Sequence, residues 1–156
     1  MANSPKSSFG MSFEVSSLTD QLEALGKDAG EFTRQAAQAG AQVLYEAARL
    51  GAPVSAHGHT FYGTHGRYYF PAGTLRDSIY QVYSNDNSSS GHWATYHISW
   101  NHQKAPYGFM VEYGTSNAPA HPFIRPAYDL AKKPSETVAK DKFENLMQDA
   151  IDKAKA

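Results

Sequence analysis

Between Ser17 and Leu50 the apolar residues Leu18, Leu22, Leu25, Ala29, Phe32, Ala36, Ala39, Val43, Ala47 and Leu50 fall three or four positions apart, the spacing that gathers side chains on one side of an α-helix. Ser17 or Thr19 can cap its start, Asp20 and Glu23 put negative charge in its first turns, and Gly51 and Pro53 stop it after Arg49. Unbroken, such a helix runs roughly 50 Å at about 1.5 Å per residue, more than the roughly 40 Å width of a compact domain of this size. Either Gly26 and Gly30 bend it, or one end projects and packs on a neighbouring subunit.

The pattern then changes. From Ala56 to Gly73 there are four glycines, three histidines and the rings Phe61, Tyr62, Tyr68, Tyr69 and Phe70, with no helical period. This predicts a long loop or a short hairpin, and rings so costly to leave in water point to docking on a partner. Ser78 to Ser84 and Trp93 to Trp100 read as strands. In the second, Ala94, Tyr96, Ile98 and Trp100 alternate with polar residues, so one face is buried. The polar stretch Asn85 to Gly91 joins them as the tip of an antiparallel hairpin. Tyr107 to Tyr113 spaces its apolar residues as a short helical turn ended by Gly114, with a strand as the alternative. Pro122, Phe123 and Ile124 are extended, and Pro126 suits a first helical position. Pro134 is expected to interrupt. Ser135 then caps a last helix built on Val138, Phe143, Leu146, Met147, Ala150 and Ile151, with Glu136–Lys140 and Asp149–Lys153 as supporting pairs.

Length and composition narrow the classes. A chain of 156 residues is expected to form a single domain, 1–156, with 1–16 as an N-terminal arm. No stretch approaches the roughly 18 apolar residues of a membrane span, and the polar Met1 to Gly10 reads as cytosolic or virion-borne rather than secreted. With no cysteine, thiolate metal sites, disulfides and cysteine nucleophiles are excluded. A formal charge of -1 without a Lys or Arg run gives no pull toward phosphate backbones or anionic membranes. Aromatics at 13%, ten of them Tyr, point instead to a large protein partner surface.

Candidate chemistry is thin. His57 and His59 with His65 or His121 could gather around zinc as a metal hydrolase would need, but no carboxylate stands at the spacing of a metalloprotease helix. No serine elbow or phosphate-cradling glycine loop occurs. No catalytic residue, metal or cofactor is therefore assigned. The constellation that stands out is Glu112, followed by Tyr113, Gly114 and Thr115, with Arg125 among Pro122, Phe123, Ile124 and Pro126. A carboxylate among apolar residues calls for a partner, and Arg125 is the nearest, so either the two pair and fix the Gly114 to Pro122 loop or they are two unrelated surface charges.

The same residues carry a resemblance. Ala52, Pro53 and Val54 after a long helix, Gly73 to Ile79 (with Leu75), Val111 to Thr115, and Pro122 to Ala127 stand in an order and spacing that resembles the phage tail-component family, the tail-completion or tail-to-head joining proteins of long-tailed phages. The likeness runs from about Leu22 to Ala150. It implies an α+β fold, with a long N-terminal helix and a C-terminal helix packed on a small antiparallel sheet. It further implies a virion protein of the neck or tail end, made in the host cytoplasm, that forms a homo-oligomeric ring, taken as a hexamer, and has no catalysis. Its partners would be neighbouring neck, tail terminator or tail tube proteins, with DNA only passing through the lumen and no membrane. A tail terminator rather than a joiner is the alternative within that class. On this view Pro53, Gly73, Leu75, Glu112, Gly114, Thr115, Pro122, Phe123, Arg125 and Pro126 are scaffold positions, and Phe61, Tyr62, Tyr68, Tyr69 and Phe70 are interface candidates. The chain departs from the family pattern at 56–72, an aromatic insert where the family often has only a few residues.

Overall fold

The computed structural model describes residues 16–63, 66–89 and 92–155; the arm expected over 1–16 lies, but for Ser16, outside them. In chain order come α1 (Ser16–Gly51), β1 (His59–Gly63), β2 (Gly66–Phe70), α2 (Thr74–Asp77), β3 (Ile79–Ser89), β4 (Trp93–Trp100), α3 (Gly108–Tyr113) and α4 (Ile124–Lys155). Two long helices and two antiparallel two-stranded sheets, β1–β2 and β3–β4, make this the α+β fold expected from the sequence.

Helix α1 runs without a break through Gly26 and Gly30. Its length is accommodated by α4, which lies antiparallel along it: Gly51 abuts Phe123, while Gly40 abuts Ser135 and Ala139. Ala36, Gly40 and Ala48 of α1 and Ala52 just after it are buried, as are Ala127, Ala131 and Ser135 of α4, so the backbones approach closely. The side chains of 17–25, and with them Leu18, Leu22 and Leu25, lie outside what the structure describes. At the other end the stripe differs from expectation. Leu50 is 88% exposed, and Ala48 and Ala52 take the inward positions because the seam with α4 accepts only small residues.

Pro134 does not interrupt α4. A proline removes the hydrogen bond to the carbonyl four residues back, here that of Leu130, an exposed position where water can take its place. Neighbouring Ser135 faces α1 and donates its hydroxyl to the Gly40 carbonyl at 2.8 Å, so it ties two helices together instead of capping one. Packing along the partner helix outweighs the local break. Val138 is exposed where the sequence suggested burial. The charged pairs that form are Lys140–Glu144 and Asp152–Lys155, not Glu136–Lys140 and Asp149–Lys153. All lie in water, where the choice of partner carries little energy.

Strand β3 extends to Ser89, past the expected end at Ser84, with an irregularity between Ser84 and Ser89. The register pairs Ile79 with Trp100, Gln81 with Ile98 and Tyr83 with Tyr96. This row faces α1: Arg34 lies 4.4 Å from the Tyr83 ring centre, and Gln81 reaches the Gln38 carbonyl. The core gathers Ala48, Ala52, Leu75, Ile79, Trp100, Ala105, Phe123 and Ala127. Two glycines make it possible. Gly108 lies so close to the Trp100 indole that any side chain would collide with it, and Gly73 (φ 83°) opens α2 in a left-handed conformation that brings Leu75 inward.

A Cβ on Gly40 would sit 3.0 Å from both the Ser135 carbonyl oxygen and the Ala139 Cβ. We expect Gly40→Leu to force α1 and α4 apart and lower stability by about 1–3 kcal/mol, measured by denaturant unfolding. An unchanged midpoint would mean that the seam is not close-packed there.

Candidate functional site

The stretch of rings forms a β-ribbon, β1 against β2, paired from His59–Phe70 to Gly63–Gly66. Alternation along the strands sorts its side chains onto two faces. One bears His59, Phe61, Tyr68 and Phe70, and the other bears Thr60, Tyr62, Arg67 and Tyr69. The base of the first face is docked: His59 and Phe70 meet the Tyr107 ring edge-on, at centroid distances of 4.9 and 5.0 Å. Tyr69 lies over Gly58, where a side chain would clash. Farther out the rings are open to solvent, with Phe61 45%, Tyr62 76%, Tyr68 47% and Tyr69 64% exposed. The ribbon thus presents aromatic groups on both faces.

Glu112 organises a second constellation. Although it belongs to a six-residue helix, its side chain is only 2% exposed, and its carboxylate reaches the start of α4. The N–H groups of Phe123 (2.7 Å), Ile124 (3.1 Å) and Arg125 (3.3 Å) all donate to it, as does the Arg125 Nε at 3.2 Å. A helix start leaves its first N–H groups without intrahelical partners. Here three are satisfied by one carboxylate, and the next residue, Pro126, has none to satisfy. Negative charge at this end also meets the positive pole of the helix dipole. Burial pushes the Glu112 carboxyl up. The N–H groups of Phe123 and Ile124, the Arg125 guanidinium and the Arg125 N–H together outweigh this and hold it below the usual carboxylate value.

Around this cap the loop is tightly drawn. Gly114 (φ 78°) closes α3 with its N–H on the Met110 carbonyl, and a Cβ there would meet Ala120 N at 2.7 Å. The Thr115 hydroxyl accepts from the N–H groups of Asn117 and Ala118, and the His121 N–H binds the Val111 carbonyl. Arg125, 60% exposed, also lies 4.7 Å from the centre of the Tyr113 ring. Both oxygens of the buried carboxylate thus accept hydrogen bonds that hold the chain.

Residues 16–114 match the model of the family described as "Bacteriophage HK97-gp10, putative tail-component". The chain belongs to this family. It is thereby a bacteriophage tail component, a protein of the virion. No curated protein and no solved structure gave a match. The family match takes in α1, the ribbon, α2, the β3–β4 hairpin and α3 and stops at Gly114, so the Pro122 to Ala127 part of the resemblance lies beyond it. The matched part thus holds α4 in two ways, by α1 packed along its length and by Glu112 at its start.

The structure brings together some of the residues singled out in the sequence and separates others. Leu75, Glu112 and Phe123 are buried, whereas Pro53, Thr115, Pro122 and Pro126 are exposed at turns and at the start of α4. Of the interface candidates, Phe61, Tyr62, Tyr68 and Tyr69 face solvent, but Phe70 is half-buried against the tail component's own Tyr107. Among the described residues no three His, Asp or Glu side chains converge as a metal site would require; His65 is not one of those residues. No described helix is long and apolar enough to cross a membrane. Unforeseen from the sequence were the exposed Phe109, Met110 and Tyr113 on α3, with the Phe109 and Tyr113 rings in tilted contact at 4.5 Å. Once Gly108 and Glu112, one turn apart, share the inward face, these three must point out.

Glu112→Ala should lower stability by about 3 kcal/mol because it leaves buried donors without an acceptor. Arg125→Ala should cost about 1 kcal/mol or less, since its side chain is largely in water. Equal losses in unfolding experiments would contradict the carboxylate's role as the cap. A group whose folded pKa is depressed contributes fully above its unfolded pKa and loses its contribution as pH falls through the folded one. Stability attributable to Glu112 should thus be complete above its ordinary value of 4.5 and decline below it. Glu112→Gln should flatten that acid limb in a pH series of unfolding midpoints; an unaltered limb would assign it to other carboxyls.

Proposed function

We propose that this tail component is a ring-forming subunit of the phage neck or tail end, which completes the tail, joins it to the head connector and catalyses no reaction. The observation that carries the reading is the aromatic ribbon. Phe61, Tyr62, Tyr68 and Tyr69 are exposed on a ribbon whose base is seated through His59, Phe70 and Tyr107. Rings in this setting gain free energy chiefly by being covered by another protein. Family membership supplies the context, since a tail component works by contact with other virion proteins. The buried carboxylate, which in an enzyme would be the first candidate for acid–base work, is committed to α4.

On this reading the subunit assembles with copies of itself, as a hexamer, and with neck, terminator or tube proteins above and below. DNA only passes through the lumen. The scaffold positions Gly73, Leu75, Glu112, Gly114 and Phe123 act by holding the assembly surfaces in place.

The test is joint truncation of Phe61, Tyr62, Tyr68 and Tyr69 to Ala. The expected result is a folded chain, with unchanged circular dichroism, that no longer forms rings in electron micrographs and gives phage lysates with unjoined heads and tails. Rings and infectivity indistinguishable from wild type would remove the ribbon from assembly. Tails of uncontrolled length in the absence of the protein would reassign it from joiner to terminator.

A further inference from the structure

We infer that residues 9–15 of one copy pair as a third strand with the open edge of β3 on the next copy, so that the ring is laced by exchanged N-terminal strands. The inference rests on the ring reading above and adds to it a contact made by main-chain hydrogen bonds.

The acceptor is a strand edge. β3 has β4 on one side only. The Asn101 N–H donates to the Ser78 carbonyl directly across the hairpin, and in an antiparallel ladder such bonded pairs recur at every second residue. Tyr80, Val82 and Ser84 therefore bond to β4. The N–H and C=O groups of Ile79, Gln81 and Tyr83 point the other way, where no strand meets them among the described residues. Edge strands are ordinarily shielded by lysine, proline, charge or a bulge. The stretch from Ile79 to Ser84 has none of these, and the irregularity of β3 comes only after it. Beside this edge lies a hollow of about 610 Å³, lined from α1 by Arg34, Gln38, Gln42 and Tyr45, in which the Tyr45 ring and the Arg34 stem supply apolar surface. The opposite edge of the sheet has α4 beside it, with Ile124, Ala127 and Tyr128 across from Ile98 of β4.

The occupant is read from the residues that precede Ser16, where the described structure starts. Phe9, Met11, Phe13 and Val15 alternate with Gly10, Ser12 and Glu14, the period of a strand with one apolar face. Paired with β3, this segment turns its apolar set toward the hollow, and Ser12 and Glu14 lie on the outer side with the exposed Tyr80 and Val82.

Reach decides which copy accepts it. β3 runs antiparallel to α1, with Tyr83 at Arg34 and Gln81 at Gln38, so the edge begins level with Arg34 and extends away from the start of α1. From Ser16 to Arg34 the unbroken helix covers roughly 27 Å at about 1.5 Å per residue. Residues 9–15, fully extended, span roughly 24 Å at about 3.4 Å each. They are used up before Tyr83 and cannot lie along the edge of their own chain, so the acceptor is another copy. Donor and acceptor are unlike patches, and such a contact passes from copy to copy until rotation closes it.

The chain has no cysteine, so introduced thiols report the contact without background. Full-length copies bearing Ser12→Cys, mixed with copies bearing Val82→Cys and treated with a short bis-maleimide, should give covalent dimers only in the mixture. A chain carrying both substitutions should give a ladder up to the full ring. In the double variant Ser12→Pro with Phe13→Pro, adjacent residues point their N–H groups to opposite sides, so one donor to β3 is lost whichever way the strand lies. It should self-assemble about ten-fold or more weakly with circular dichroism unchanged, and the Gln81 and Tyr83 amides, slow to exchange in the wild-type oligomer, should exchange fast. Dimers from Val82→Cys alone would pair β3 with β3, and dimers from Ser12→Cys alone would pair arm with arm; either overturns the exchange. So does an oligomer that gives no mixed crosslink and assembles normally with both prolines, which leaves the ring reading standing. A wild-type chain that stays monomeric by mass at assembly concentrations overturns the ring reading and this inference with it.

Discussion

One carboxylate joins the two halves of this fold. Without Glu112, α4 would begin with its Phe123, Ile124 and Arg125 N–H groups unpartnered, and α3 would be tied to it across the Gly114 to Pro122 loop only by the contacts of Arg125 with the Glu112 carbonyl and the Tyr113 ring. Burying a charge costs several kcal/mol even after relaxation. Hydrogen bonds to a charged group return about 1.5–3 kcal/mol each, so four donors are enough to make the buried anion favourable, and the depressed carboxyl pKa has that cause. Arg125 is a lesser member. Its guanidinium is mostly in water, and its main contribution is to orient the carboxylate and lie along the Tyr113 ring.

The second constraint is steric. Once Glu112 fixes where α4 begins, the helix can lie along α1 only if both present small residues, and Gly40, Ala48, Ala52, Ala127, Ala131 and Ser135 do so. Because that seam is narrow, larger side chains are displaced to its flanks. Leu44, Ile124 and Tyr128 are left lining a groove instead of filling a core. The close approach of the helices and the open apolar hollow beside them are thus two consequences of one packing choice.

Much of this architecture was legible in the residues. The three-and-four spacing from Leu18 to Leu50 marked α1, and the alternation of Ala94, Tyr96, Ile98 and Trp100 picked the face of β4 turned toward α1. Glu112 and Arg125 were legible as one of two readings, a pair or two separate surface charges, and the burial of Glu112 decides for the pair. The backbone donors were not, since no side-chain pattern records where an N–H group points. Pro134 misled for a related reason. Its local preference is real, but whether a helix survives a proline depends on what lies alongside, and that information is spread over Gly40 and Ser135, 95 residues apart. Leu50 and Val138 failed as core residues because hydrophobicity was read without regard to size. Phe70 could be told from Tyr69 only once Tyr107 was seen to meet one and not the other.

The ribbon touches the body of the protein mainly through His59, Phe70 and Tyr107, and none of its outer rings belongs to the buried core. On the proposed reading, folding and recognition are carried by separate residues. A phage lineage could exchange Phe61, Tyr62, Tyr68 or Tyr69 for other side chains, and so change what the subunit binds, while the Glu112 clasp and the small-residue seam continued to specify the same body. If the chain joins tail to head as proposed, such a division lets the two evolve toward each other at their junction by altering a few exposed positions.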